Sequence, residues 1–152
     1  MKKVLIIDSH QLFRDFLKQK LSVDQIQVIL TQENRDSYPK MLSLLPNLII
    51  LDMTEDRIEE IDFLERKAND PNTANIPVII TGPYTERTNI ASLSRYGVIK
   101  YFSKPIQFDS FFEAIGNVLK IPLSMDSTPC VLDLHRNGSL IFIEIASGLN
   151  RD

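Results

Sequence analysis

Four residues that together can move a phosphoryl group stand at the ends of apolar runs in this chain. Asp8 follows Val4–Ile7 and Asp52 follows Leu48–Leu51. Thr81 follows Val78–Ile80, and Lys104 follows Tyr101, Phe102 and Ser103 and precedes Pro105. Phosphoryl transfer to a carboxylate needs a nucleophile, a divalent cation bridging it to the phosphoryl group, and fixed positive charge on the remaining oxygens. Asp52, Asp8 with a metal, Lys104 and the Thr81 hydroxyl can fill those roles. Taken singly, each has a plainer explanation: an Asp caps a turn, Lys-Pro is a loop, Thr-Gly is a turn. The order of the four, each closing a strand-length run, carries the inference.

The elements that must position them follow from the same runs. Val4–Ile7, Ile26–Leu30, Leu48–Leu51, Val78–Ile80 and Val98–Phe102 are strand-length and rich in Val, Ile or Leu; runs that are apolar without alternation predict strands covered on both faces, as in a parallel sheet. Helix-period segments lie between them. Leu12, Phe13, Phe16, Leu17 and Leu21 share one face, as do Tyr38, Met41, Leu42 and Leu45, then Ile61, Leu64 and Ala68. Glu86–Arg95 has the weakest stripe and stops at Gly97. The clearest stripe is Phe108, Phe111, Phe112, Ile115, Val118 and Leu119.

Five strands alternating with five helices predict an α/β fold, a (βα)5 doubly wound, flavodoxin-like five-stranded parallel sheet. Such sheets do their chemistry at the C-terminal strand ends, where the strand order switches. Asp8, Asp52, Thr81 and the stretch before Lys104 fall there.

Composition narrows the class. Of 152 residues, 43% are apolar and 24% charged, enough for one core plus a small extension. The net charge of −3 gives no broad footprint for nucleic acid. The single cysteine, Cys130, has no partner for an internal disulfide and fits a reducing compartment. Asp8 cuts the opening apolar run to four residues, too short for an export signal, and no run approaches a membrane span. The expectation is a cytoplasmic protein that neither enters a membrane nor, through this segment, binds nucleic acid.

After Lys120 the character changes. Ile121–Pro129 reads as a linker with two prolines. Val131–Leu134 and Leu140–Ile145 then flank Asn137-Gly138, a hairpin signal. The expected organisation is a domain over 1–120, then a linker and short C-terminal β-hairpin over 121–152, which packs on the domain, pairs with another chain or begins a truncated output domain.

The motifs resemble the receiver (phosphoacceptor) domain of bacterial two-component response regulators. Val4–Arg14 is similar to the family's start, Leu48–Met53 to its phosphoacceptor strand, and Ile76–Gly82 to its switch-threonine strand. Gly97 through Tyr101-Phe102-Ser103-Lys104-Pro105 is similar to its fifth strand. The resemblance covers roughly residues 2–120. It implies that Asp52 accepts a phosphoryl group from a sensor histidine kinase or phosphotransfer protein, its chemistry limited to self-phosphorylation and self-dephosphorylation. It implies Mg²⁺ held by Asp8, Asp52 and the Thr54 carbonyl, Lys104 on the phosphoryl oxygens, Thr81 and Tyr101 as switch residues, and a cis Lys104–Pro105 bond. Next to these switch residues, the face of the fourth helix, fifth strand and fifth helix carries Tyr96, Tyr101 and the turn at Pro105; it reads either as a partner surface, for instance for a homodimer, or as a set of half-buried aromatics.

The chain also departs from the family. Ser9 stands where a second carboxylate is usual, so this residue would bind Mg²⁺ weakly or through a water, in a weakened site. Glu55 and Asp56 replace the usual Met-Pro, and either could supply a substitute carboxylate. His10 matches a common family residue and reads as a loop histidine. Two other functions compete: a pseudo-receiver acting as a phosphorylation-independent interaction module, and a flavodoxin-like small-molecule binder. Against the latter, Ser9-His10-Gln11 contains no glycine for a phosphate loop.

Overall fold

The apolar runs become five strands: β1 (Lys2–Ile7), β2 (Ile26–Thr31), β3 (Leu48–Asp52), β4 (Val78–Gly82) and β5 (Val98–Ser103). They alternate with α1 (Gln11–Leu21), α2 (Asn34–Leu44), α3 (Ile58–Asn69), α4 (Ile90–Leu93, running into a 3-10 turn at Ser94–Tyr96) and α5 (Phe108–Leu119). The structure, a computed structural model, describes residues 1–22, 25–31, 34–54, 57–83 and 90–123. The start expected for the fourth helix and the C-terminal hairpin lie outside the described residues. The chain divides into two units, Met1–Tyr101 and Phe102–Asp152.

The first unit carries one sheet of order β2-β1-β3-β4-β5, to which β5 contributes its residues up to Tyr101. β1 pairs in parallel with β2 and β3, and β3 with β4. Right-handed parallel crossovers wind outward in both directions from β1 and β3, so the switch in strand order falls between these two. Leu5, Ile7, Ile49, Leu51, Val78 and Ile80 join a core with Met41 of α2 and with Phe63 and Leu64 of α3. The intervening residues Val4, Ile6, Leu48, Ile50 and Ile79 are at most 1% exposed. Both faces are therefore covered, as the unalternating runs predict.

The helix faces differ in detail from the sequence reading. α1 buries Phe13, Phe16, Leu17 and Leu21, but Leu12 is exposed. α2 buries Ser37 and Met41, four residues apart, and this turns Leu42 outward. Leu45 lies past the helix end with a positive φ of 46° and is also exposed. On α3 two charged residues, Glu60 and Lys67, are buried beside Phe63 and Leu64, while Ile61 and Ala68 are only partly buried. Tyr96 is 4% exposed, so it is a core residue and not part of a docking face.

Gly97 ends the 3-10 turn as expected, with φ at 86° and its N–H donating to the Ser94 carbonyl. A Cβ there would meet Lys67 Nζ at 2.8 Å and the Ile76 carbonyl at 2.9 Å. Lys67 Nζ in turn donates to the carbonyls of Ala74 (3.0 Å) and Tyr96 (2.8 Å). Burial lowers its pKa to about 8.

In the second unit, α5 buries Phe111, Phe112, Ile115 and Leu119. Phe111 packs edge-on against Phe102, with ring centroids 5.3 Å apart. The helix ends at Lys120 in the left-handed region. Ile121 then folds back, buried, its N–H donating to the Gly116 carbonyl at 3.1 Å.

Candidate functional site

Parallel strands place their C-terminal ends along one edge, and the register aligns the site residues there. Ile7 pairs with Leu51, so the next residues, Asp8 and Asp52, come level across β1 and β3. Asp52 pairs with Thr81 across β3 and β4. The backbone ladder continues past each: the Asp8 N–H donates to the Thr31 carbonyl (3.1 Å) and the Met53 N–H to the Thr81 carbonyl (2.7 Å). This bonding fixes the height at which the three side chains leave the sheet.

The side chains converge. Thr81 Oγ1 lies 3.5 Å from Asp52 Oδ1, a long contact, and Thr81 is fully buried. Asp8 is 3% exposed. Its Oδ1 accepts from the His10 N–H at 2.8 Å and lies 2.7 Å from His10 Nδ1. Its Oδ2 is buried without a hydrogen-bond partner. His10 Nδ1 also lies 3.9 Å from Asp52 Oδ2. The two-residue spacing that lets Asp8 bond the His10 N–H also brings the ring back over the carboxylate. The signal was therefore in the sequence, where His10 matches a common family residue but reads as a loop histidine.

Asp8, His10 and Asp52 each offer one ligand atom, all within 4.8 Å of one another. A buried carboxylate oxygen without a donor is costly, and a second carboxylate nearby adds repulsion. A divalent cation answers both needs, so the residues fit one. Ser9 is exposed beside the buried Asp8. Thr54 follows β3 at an exposed turn, its hydroxyl donating to the buried Glu60 at 2.9 Å. Glu55 and Asp56 lie outside the described residues.

Tyr101 is half-buried against the core, its hydroxyl donating to the Pro83 carbonyl at 2.7 Å. Gly82, directly after Thr81, leaves room for it: a Cβ there would lie 2.6 Å from the Tyr101 hydroxyl. Lys104 belongs to the second unit, where it is half-buried just after β5 and joined to Pro105 by a cis peptide bond.

A doubly wound parallel sheet with two carboxylates at its switch point defines an α/β class that hosts many functions. The comparisons narrow it. Residues 4–116 match the family described as response regulator receiver domain. The chain belongs to that family, the signalling domains of two-component systems. The signal receiver domain of a DNA-binding response regulator from Colwellia psychrerythraea 34H is 22% identical, with a TM-score of 0.70 over 79% of this chain and 99% of that one. A response regulator from Desulfuromonas acetoxidans is 24% identical, with a TM-score of 0.64 over 79% and 98%. A receiver-modulated diguanylate cyclase from Pelobacter carbinolicus is 23% identical, with a TM-score of 0.59 over 79% and 93%. These likenesses bear on fold. Comparison with curated protein sequences returns no significant match. Among the described residues, no helix is long and apolar enough to cross a membrane.

Proposed function

We propose that this chain is a phosphorylation-gated switch, with Asp52 accepting a phosphoryl group from a cytoplasmic histidine kinase or phosphotransfer protein. A carboxylate oxygen of Asp52 forms the new O–P bond as the N–P bond of phosphohistidine breaks. The leaving imidazole keeps the electron pair and takes a proton from solvent. Asp8, Asp52 and the Thr54 carbonyl would hold Mg²⁺, which when bound supplies charge neutralisation for the phosphoryl oxygens. Lys104 supplies a fixed cation for the same oxygens. The Thr81 hydroxyl turns from Asp52 toward a phosphoryl oxygen, and Tyr101 reads that movement. Water later attacks the acyl phosphate and resets the switch, so the chemistry is confined to Asp52 itself.

The observation that carries this reading is the register: Asp52 stands level with Asp8 on one side and opposite Thr81 on the other. The output surface includes β5, where Ile99 is 45% exposed and the Arg95 side chain, just before the strand, 71%. A second copy of the chain is the partner we assign to it. The test is incubation with acetyl phosphate and Mg²⁺ followed by intact-mass measurement. One added phosphoryl group, absent from Asp52→Asn, is expected; a labelled Asp52→Asn refutes the assignment.

A further inference from the structure

The carboxylate pair has a third neighbour, and it is a nitrogen. His10 Nδ1 stands 2.7 Å from Asp8 Oδ1 and 3.9 Å from Asp52 Oδ2. Donors that share one ion at about 2.1 Å lie roughly 3.0–3.4 Å apart in tetrahedral or octahedral geometry. The two observed separations bracket that range, so small side-chain movements seat an ion among all three residues. A separate observation points to a ligand: Asp8 Oδ2 is buried and unpartnered in a residue only 3% exposed. The hydrogen bonds from His10 occupy Oδ1 alone. The remaining oxygen therefore lacks a positive partner where water does not reach.

Donor chemistry decides which cation suits the set. Mg²⁺ favours oxygen ligands in near-ideal octahedral arrangement and keeps several waters. Imidazole suits the borderline transition metals, and affinity for mixed nitrogen and oxygen sites rises along the first row. This pocket has an imidazole in contact with one carboxylate, while Ser9, next to Asp8, offers only an exposed hydroxyl.

We propose that His10 is a direct metal ligand, and that Asp8, His10 and Asp52 together select a borderline divalent metal of the Co²⁺, Ni²⁺ and Zn²⁺ class over Mg²⁺. This rests on the reading above only in taking the pocket as the receiver's cation site. His10 sits at the N-cap of α1 with its side chain 35% exposed, so its ring can turn without disturbing the core. The ion takes the place of the hydrogen-bonded contact between His10 and Asp8, with an Asp8 carboxylate oxygen as its ligand.

The test is calorimetric titration of the full chain with Co²⁺ and with Mg²⁺, alongside ¹⁵N NMR of the histidine rings during Zn²⁺ titration. Co²⁺ should bind at least about tenfold more tightly than Mg²⁺. His10→Gln should lose about tenfold or more of the Co²⁺ affinity and change that for Mg²⁺ by less than about twofold. His10→Ala should do the same, and His135→Gln, at the other histidine, should change neither. Zn²⁺ should shift the His10 Nδ1 resonance. Equal Co²⁺ binding by wild type and both His10 variants, an unmoved Nδ1, or loss on His135→Gln overturns the proposal. If Asp8→Asn still abolishes Mg²⁺ binding in that case, the cation pocket stands and only the nitrogen ligand falls. If neither Asp8→Asn nor Asp52→Asn affects either metal, both readings fall.

Discussion

The hydroxyl of Tyr101 occupies the space a side chain on Gly82 would need: a Cβ there would stand 2.6 Å from it. The same Cβ would lie 3.1 Å from the Met53 carbonyl. The missing side chain at Gly82, directly after Thr81, thus leaves room for Tyr101, whose hydroxyl donates to the Pro83 carbonyl. Gly82→Ala should cost about 1–2 kcal/mol and push Tyr101 outward, because overpacking a filled site is destabilising. In a Tyr101→Phe background the cost should fall by about half, since the clashing oxygen is gone. Equal costs in the two backgrounds, measured by urea denaturation, would mean that the backbone contact with Met53 dominates instead.

Lys67 gives a pH signature. Burial lowers its pKa from 10.5 to about 8 in the folded state. Between these values the unfolded chain holds the proton more tightly, so stability rises with pH across that window. The contribution is fully present above about 10.5 and lost as pH falls through about 8. Lys67→Met should remove this slope, seen by denaturation at pH 7.5 and pH 10. It also leaves the Ala74 and Tyr96 carbonyls without their donor, which should cost about 1–3 kcal/mol at neutral pH. A slope unchanged in Lys67→Met would assign it to another group.

Much of this arrangement was legible in the sequence, for reasons that also mark where reading failed. The central strands β1, β3 and β4 could be read because both their faces are covered, so burial alone dictates their residue types. Asp8, Asp52 and Thr81 could be placed because parallel strands bring successive strand ends to one edge. Glu60 and Lys67 could not be seen as buried. Their partners are Thr54 for the first and the Ala74 and Tyr96 carbonyls for the second, contacts that exist only after α3 packs. The outward turn of Leu42 was hidden because Ser37, a polar residue, takes the inward position, and that of Leu45 because the helix ends before it. Ser37 bonds Thr31 Oγ1 at 3.4 Å.

Ser9→Asp tests the weakened Mg²⁺ site that we propose. A serine hydroxyl carries no charge, so Ser9→Asp adds an anionic oxygen beside Asp8 and should tighten Mg²⁺ binding by about ten- to a hundredfold. Without metal, the added repulsion should lower stability, and saturating Mg²⁺ should more than restore it. Thermal melts with and without Mg²⁺ read both effects. Identical Mg²⁺ affinities in wild type and Ser9→Asp would indicate that Glu55 or Asp56 already supplies the ligand.

The second unit's packing reaches Ile121, whose N–H closes the end of α5. A chain ending at Leu123 should therefore unfold cooperatively with a melting temperature close to the full chain's, whereas one ending at Lys120 should be destabilised. A Cβ on Gly116 would lie 2.7 Å from the Ile121 carbonyl, so Gly116→Ala should reproduce that loss. An aggregated or non-cooperative 1–123 chain would show that later residues belong to the core.

The pairing of Asp52 with Thr81 and its level position beside Asp8 make one chemical claim above all, that Asp52 is the phosphoacceptor. Intact-mass spectrometry after acetyl phosphate and divalent cation measures it most directly. Wild type should gain a single phosphoryl group of about 80 Da and shift its Tyr101 ring resonances in NMR, and Lys104→Ala should gain the group without that shift. Asp52→Asn should gain nothing. An unlabelled wild type, or an Asp52→Asn variant that labels as well as wild type, contradicts the account.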